Sequence, residues 1–109
     1  MGWAMAQIFK ICPAADWQAA EAAGVFKGSA VDLKDGFIHF SARPQLRETA
    51  ARHFAGQVGL VLIAFDEACF GAALTWEPSR GGDLFPHLYG TIDPATADWV
   101  KPLPALADL

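Results

Sequence analysis

Two histidines in the sequence each precede a hydroxyl-bearing residue by two positions, in segments with the pattern of a β-strand. His39 is followed by Ser41 in DGFIHFS, and His87 is followed by Tyr89 in FPHLYG. Because successive strand residues point to opposite faces, the members of each pair are predicted to share a face. If both faces line one cleft, two imidazoles and two hydroxyls among aromatic residues would suit a small polar ligand that stacks. The alternative for either histidine alone is a buried residue that bonds to the backbone.

The segment WEPSRGG supplies two further candidates. Glu77 ends a predicted strand beside a glycine-containing loop, where a carboxylate can reach into a cleft. Arg80, between Ser79 and two glycines, can bind a phosphate group with side-chain and backbone donors. An ordinary hairpin loop with a solvated arginine explains the same residues, and the double glycine lacks the lysine and the helix of a P-loop.

The remaining histidine and the two cysteines form no metal or redox motif. His53 falls in the last turn of a predicted helix, where the helix dipole favours a cation, and no histidine pair has the i, i+4 spacing of HExxH. Cys12 and Cys69 lie far apart and belong to no CxxC pair. We therefore expect no metal site, and two reduced thiols in place of a disulfide.

The composition of the 109-residue chain is typical of one compact globular domain. The hydrophobic fraction is 53% and the charged fraction is 18%, unlike a disordered chain. A net charge of −4 without basic clusters gives no strong signal for a nucleic-acid partner. No segment has the pattern of a signal peptide or a membrane span, so we expect a cytoplasmic protein without a membrane partner. The oligomeric state stays open.

Helices are predicted early in the chain and strands late, which favours an α+β fold with a mostly antiparallel sheet. Hydrophobic patterning predicts two short helices, over 13–24 and 41–56, and a loop over 26–36. Strands are predicted over 7–12, 37–40, 59–66, 73–77 and 85–92. The single domain, 1–109, is expected to have its core over about 7–93, with an N-terminal extension and a C-terminal tail that contains a short helical piece around Trp99.

Five blocks of the sequence resemble a family of small, mostly bacterial proteins known as a domain of unknown function (number nine hundred and fifty-two). They are IFKICPAADWQAA, GSAVDLKDGFIHFS, TAARHFAG, LVLIAFD and LTWEPSRGGDLFPHLYG. The family is grouped by fold with the ADP-ribosyltransferase-like proteins, and FIHFS is similar to a histidine-containing strand of the NAD-using RNA 2′-phosphotransferases. The resemblance implies an ADP-ribosylation-like, split and mostly antiparallel β core with a cleft for NAD.

The lead hypothesis is binding of NAD or a related nucleotide, with transferase activity left open. The resemblance implies that His39 and Ser41 hold the ribose or amide end, that Tyr89 stacks on nicotinamide, and that Glu77 orients the ribose or activates an acceptor. Lys10 stands nearest to the first-strand histidine or arginine of active relatives. The candidate catalytic residues are therefore His39, His87 and Glu77, and the candidate cofactor-binding residues are Lys10, Ser41, Arg80, Phe85 and Tyr89.

Two alternatives stay open. Paired His-x-Ser and His-x-Tyr segments resemble the motifs of two-histidine phosphoesterases, in which one imidazole takes a proton and the other gives one during cleavage of a cyclic phosphate. The other alternative is a non-catalytic binding or interaction module with an aromatic surface of Trp3, Trp76 and Trp99. Imidazoles of His39 and His87 in one solvent-reaching cleft favour a ligand site, whereas separate burial against the backbone favours the module.

Overall fold

The computed structural model describes residues 6–109, with the side chain of Arg80 outside that description. The fold is α+β, as predicted, with two antiparallel sheets. The strands are β1 Gln7–Pro13, β2 Ile38–His39, β3 Ser41–Ala42, β4 Leu60–Asp66, β5 Leu74–Pro78, β6 Leu84–Leu88 and β7 Trp99–Pro102. The α-helices of these residues are α1 Ala14–Ala23, α2 Ala30–Asp35 and α3 Leu46–His53.

The larger sheet has the strand order β3-β1-β4-β7, and β4 is one of its two interior strands. The continuous apolar run from Leu60 to Phe65 predicts this position, because a strand covered on both faces needs apolar residues at every position. Alternate residues of β4 enter two hydrophobic clusters: Ile63 and Phe65 pack with Trp17 of α1, whereas Leu62 and Ala64 pack with α3. The sheet is thus covered by a helix on each face.

The smaller sheet has the order β2-β6-β5 and positions both candidate histidines. His39 of β2 lies directly opposite His87 of β6. One residue later the chain leaves this sheet, since Phe40 separates β2 from β3 and β3 pairs with β1 in the larger sheet. The prediction of one continuous strand over 37–40 is therefore only partly right, and Phe40 is the crossing point between the sheets.

The prediction of a loop over residues 26–36, and with it the count of two helices, is wrong. Helix α2 occupies residues 30–35, because the carboxylate of Asp32 accepts a hydrogen bond from the backbone N–H of Ser29 and satisfies one free donor at the helix start. Gly36 ends the helix with φ 86°, a conformation that favours glycine. The pattern Ser-x-x-Asp followed by Gly was present in the sequence as a helix signal.

Two further predictions about the elements need correction. The helix predicted to begin at residue 41 begins later, because Ser41 lies in β3 and α3 starts only at Leu46 after a 3-10 turn over 43–45. The helical piece predicted around Trp99 is strand β7, which pairs with β4, and Trp99 packs against Phe9 with 6.0 Å between ring centroids. The C-terminal residues thus extend the sheet beyond the core predicted to end near residue 93.

Within residues 6–109, no helix is long and apolar enough to span a bilayer. Residues 1–5, predicted as an N-terminal extension, lie outside the described residues, as does Trp3.

Candidate functional site

A cavity of about 560 Å³ brings together five of the eight candidate site residues. They come from both sheets and are Lys10, His39, Ser41, Phe85 and His87. We call this cavity the intersheet pocket. Glu77 and Tyr89 are not among its lining residues, and the side chain of Arg80 lies outside the described residues, although its neighbour Ser79 lines the pocket. A second cavity of about 470 Å³, beside the C-terminal end of α3, contains none of the candidates.

A buried ion pair forms one wall of the intersheet pocket. Lys10 donates to both oxygens of Asp32, at 2.9 and 2.7 Å, and both side chains are almost fully buried. Each oxygen of Asp32 accepts three hydrogen bonds in all, the others coming from Ser29 and His39. Burial by itself would raise the pKa of Asp32, but the hydrogen bonds from His39 and the ion pair with Lys10 hold the pKa far below its ordinary range. Asp32 is therefore an ionised carboxylate.

Burial acts on Lys10 in the opposite sense to its partner. It lowers the pKa of the Lys10 ammonium, while the charge and the hydrogen bonds of Asp32 oppose that fall. Six hydrogen bonds to the carboxylate of Asp32 stabilise its negative charge, so Lys10 and Asp32 form an ionised pair. Lys10 is a predicted cofactor-binding residue, and in the structure its charge is paired with that of Asp32.

His39 lies between two carboxylates of helix α2. Its Nδ1 atom is 2.7 Å from Asp32 Oδ1, and its Nε2 atom is 2.9 Å from Asp35 Oδ2. The backbone N–H of His39 donates to Asp32 as well, at 3.0 Å. A ring that carries a proton on both nitrogens satisfies both carboxylates at once. Both ring nitrogens of His39 are thus within hydrogen-bond distance of a carboxylate oxygen.

The hydrogen bond that orients His87 is made by its Nδ1 atom. Its Nδ1 atom is 2.8 Å from Glu77 Oε1, and the hydroxyl of Tyr89 donates to the same oxygen at 2.7 Å. The hydrogen bonds from Tyr89 and His87 lower the pKa of Glu77, and the bond to Glu77 raises the pKa of Tyr89. Glu77 thus bonds to both His87 and Tyr89, while neither Glu77 nor Tyr89 lines the intersheet pocket.

Aromatic rings join the two histidines into one cluster. Phe37 stacks on His87 with 4.1 Å between ring centroids and an interplanar angle of 28°. The centroids of His39 and His87 are 5.7 Å apart, and Phe37 also contacts His39 and Tyr89. These contacts agree with the predicted alternation, which places Phe37 with His39 and His87 with Tyr89 on shared faces.

Two hydroxyls, of Ser41 and Thr49, also line the pocket. Ser41 is buried, and its Oγ atom is 3.1 Å from Thr49 Oγ1 of α3. Ser41 and His39 both line the pocket although they belong to different sheets. His53, for which the sequence suggested only a helix-dipole role, lines the pocket too.

Sequence reasoning missed Asp32, Asp35 and Phe37, which hold the two histidines in place. The signal for Asp32 was its position three residues after Ser29, at the start of a helix. In residues 6–109, no group of three or more potential metal-binding side chains has the geometry to hold an ion.

Comparison with known proteins places the chain in a family. The model of the family described as "Protein of unknown function (DUF952)" matches residues 11–100. The chain belongs to the DUF952 family. No curated protein matches it.

Solved structures of a bacterial relative share the fold of this DUF952 protein. In the crystal structure of protein CC0527 from Caulobacter crescentus the sequence identity is 50% and the TM-score is 0.87, with 90% of this chain and 86% of that chain covered. The solution NMR structure of CC0527 gives 50% identity and a TM-score of 0.83, with 95% and 90% of the two chains covered. The name of CC0527 states no activity.

Proposed function

We propose that the protein binds NAD or a related nucleotide in the intersheet pocket. The observation that supports this function is the convergence of His39, Ser41, His87 and Phe85 on one cavity of about 560 Å³. This volume falls in the range of small-molecule sites, about 300–1,000 Å³, and the mixture of aromatic rings with a few polar groups is typical of them.

The lining residues suggest how such a ligand would be oriented. Phe85 and Phe54 offer aromatic surfaces for a base or a nicotinamide ring, and Ser41 with Thr49 offers hydroxyls for a ribose. The phosphates are assigned to the loop after β5, where Ser79 lines the pocket and Arg80 follows in the sequence. Glu77 and Tyr89 remain candidate ligand-binding residues, and they also orient His87 through the hydrogen bonds at Glu77 Oε1.

The ADP-ribosylation-like fold and a transferase activity belong to the same proposal. Their support is the likeness of FIHFS to the RNA 2′-phosphotransferase strand, together with two antiparallel sheets that flank a cavity. Loss of nicotinamide passes through an oxocarbenium-like state, which a shielded pocket with nearby carboxylates stabilises. We propose the cytoplasm as the location, in keeping with the two free cysteines.

Calorimetry with NAD, ADP-ribose and NADP tests the binding. We expect one of these ligands to bind the wild type, and the double variant His39→Ala/His87→Ala to bind it at least about tenfold more weakly, a loss of about 1.4 kcal/mol. Arg52→Ala, an exposed change on α3 that does not line the pocket, is the control and should bind as the wild type does. Absence of binding to the wild type, or undiminished binding by the double variant, contradicts the proposal.

A two-histidine phosphoesterase is the second candidate, because His39 and His87 lie directly opposite each other on adjacent strands. Turnover of a 2′,3′-cyclic nucleotide that is lost in both single His→Ala variants would favour it, and no turnover across the pH range would exclude it.

The interaction-module alternative has less support. Trp76 and Trp99 pack against different hydrophobic clusters and so form no common aromatic surface.

A further inference from the structure

The two histidines of the intersheet pocket face different sets of hydrogen-bond acceptors. Glu77 Oε1 is within hydrogen-bond distance of Nδ1 of His87. Because an ionised carboxylate can only accept a hydrogen bond, Nδ1 of His87 is the donor. A neutral ring that carries its proton on Nδ1 has its lone pair on Nε2. Because His87 lines the pocket and Glu77 does not, the edge of the ring that bears Nε2 is directed to the pocket.

His39 has no such lone pair to offer. Both of its ring nitrogens lie within 2.9 Å of a carboxylate oxygen, one on Asp32 and one on Asp35. Asp32 is ionised and its oxygens are saturated with donors, so Nδ1 of His39 must carry a proton. The second carboxylate favours a proton on Nε2 for the same reason.

We propose that His87 is the proton acceptor of the intersheet pocket and that His39 is fixed as its cation, so that the two histidines are not interchangeable. The group that His87 serves is a hydroxyl, of the ligand or of a water molecule, because an O–H donor is the complement of an imidazole lone pair. The inference rests on the proposed function in taking this pocket as the ligand site. The charged and titratable groups that surround His87 or line the pocket with it are Glu77 of β5, Tyr89 after β6, His39 of β2, Lys10 of β1, Asp16 of α1, Asp35 of α2 and His53 of α3.

Glu77 and Tyr89 are then positioning residues. Glu77 selects the tautomer of His87, and Tyr89 fixes the oxygen of Glu77 that does so, since both contacts converge on Oε1. Phe37, stacked on the ring of His87, restricts its rotation. Asp32, with its own donors, bonds to His39 as Glu77 bonds to His87. The other ring nitrogen of His39, however, is bonded to a second carboxylate, that of Asp35.

Long-range proton–nitrogen NMR of the ligand-free protein near neutral pH tests the assignment, because it distinguishes the two neutral tautomers from the doubly protonated ring. We expect one ring in the Nδ1–H form, which is absent in His87→Gln, and one doubly protonated ring, which is absent in His39→Gln. Glu77→Leu should convert His87 to a mixture of tautomers, whereas Glu77→Gln, whose amide oxygen still accepts from Nδ1, should preserve the wild-type form.

An Nε2–H form of His87 in the wild type, a singly protonated His39, or an unchanged tautomer in Glu77→Leu would overturn the inference. The wild-type and histidine-variant spectra decide it even if Glu77→Leu does not fold. Because no ligand is present, a failure here is independent of any failure to bind NAD.

Discussion

At the scale of single residues, Asp32 connects the groups that define the pocket. It holds Lys10 of β1, His39 of β2 and the start of its own helix with six hydrogen bonds, while its side chain is only 1% exposed. A carboxylate so placed contributes by satisfying buried donors, and its removal leaves those donors and the Lys10 charge without a partner.

We expect Asp32→Asn to lower the free energy of unfolding by about 3–5 kcal/mol, the usual effect of breaking a buried ion pair. Urea denaturation followed by fluorescence of the tryptophans measures it. Asp35→Asn is the matched control, because Asp35 also bonds to His39 but its side chain is 40% exposed, and its effect should stay below about 1 kcal/mol. Equal effects of the two substitutions would contradict the role given to Asp32.

The lowered pKa of Asp32 makes stability depend on acid in a defined direction. Its pKa in the folded protein lies below the ordinary value of 3.8, so the ionised form stabilises the fold fully above that pH. The contribution is lost as the pH falls below about 4. We expect the free energy of unfolding of the wild type to decrease more steeply below this pH than that of Asp32→Asn. Glu21→Gln, an exposed change on α1, should follow the wild-type curve.

Sequence reasoning found the histidines but not their partners, for a physical reason. Strand alternation is local, so His39 and Ser41, and likewise His87 and Tyr89, could each be predicted to share a face. The partner of Lys10 lies 22 residues away and becomes its neighbour only when β1 and α2 meet in the fold. Glu77 could be proposed from its place beside the loop after β5, but its hydrogen bonds to His87 and Tyr89 depend on the pairing of β5 with β6.

At the scale of elements, helix α2 positions two carboxylates beside His39. Its first and last turns carry Asp32 and Asp35, and the segment before it makes a close approach at Gly28. A Cβ atom at Gly28, where φ is 121°, would lie 2.8 Å from the Cβ of Asp32. Only glycine therefore lets the segment pass the buried ion pair.

We expect Gly28→Ala to destabilise the protein by about 2–4 kcal/mol, the sum of backbone strain and overpacking, and to shift the NMR signals of His39. Gly24→Ala is the control, because Gly24 also has a positive φ, 79°, but no atom lies within 4 Å of an added Cβ. The control should lose only about 1–2 kcal/mol and leave His39 unchanged. Equal losses, or an unperturbed His39 in Gly28→Ala, would show that the contact with Asp32 is unimportant.

Elements defined by local composition were predictable, and those defined by pairing were not. The apolar run of β4 and the alanine-rich α1 each carry their own signal. By contrast, Trp99 lies in a strand because β7 pairs with the edge of β4. Strands β2 and β3 are two residues long because the chain passes from one sheet to the other between them.

At the scale of the whole molecule, the two cysteines report on different parts of the fold. Cys12 is fully buried in the cluster around Trp17, and burial raises the pKa of its thiol to about 12, whereas Cys69 is exposed. A thiol reacts as the thiolate, so these environments predict very different reactivities.

We expect a thiol-specific reagent to modify Cys69 quickly in the native protein and Cys12 only at the rate at which the core opens. Mass spectrometry after timed labelling, with and without denaturant, measures both rates. Cys69→Ser leaves only the slow reaction and serves as the control. Rapid labelling of Cys12 in that variant would show that β1 is not part of a stably packed core.

The crossing at Phe40 has a mechanical consequence. Phe40 is buried against Phe65 and Phe70, and its N–H donates to Pro86 across the junction of the sheets. His39 directly precedes Phe40, and Ser41 directly follows it. The two walls of the pocket are therefore joined through one residue. A hinge this short permits rotation but hardly any separation. The pocket should therefore admit a ligand by movement of the loop after β5, where Ser79 lines it, while the distance between His39 and Ser41 stays nearly constant.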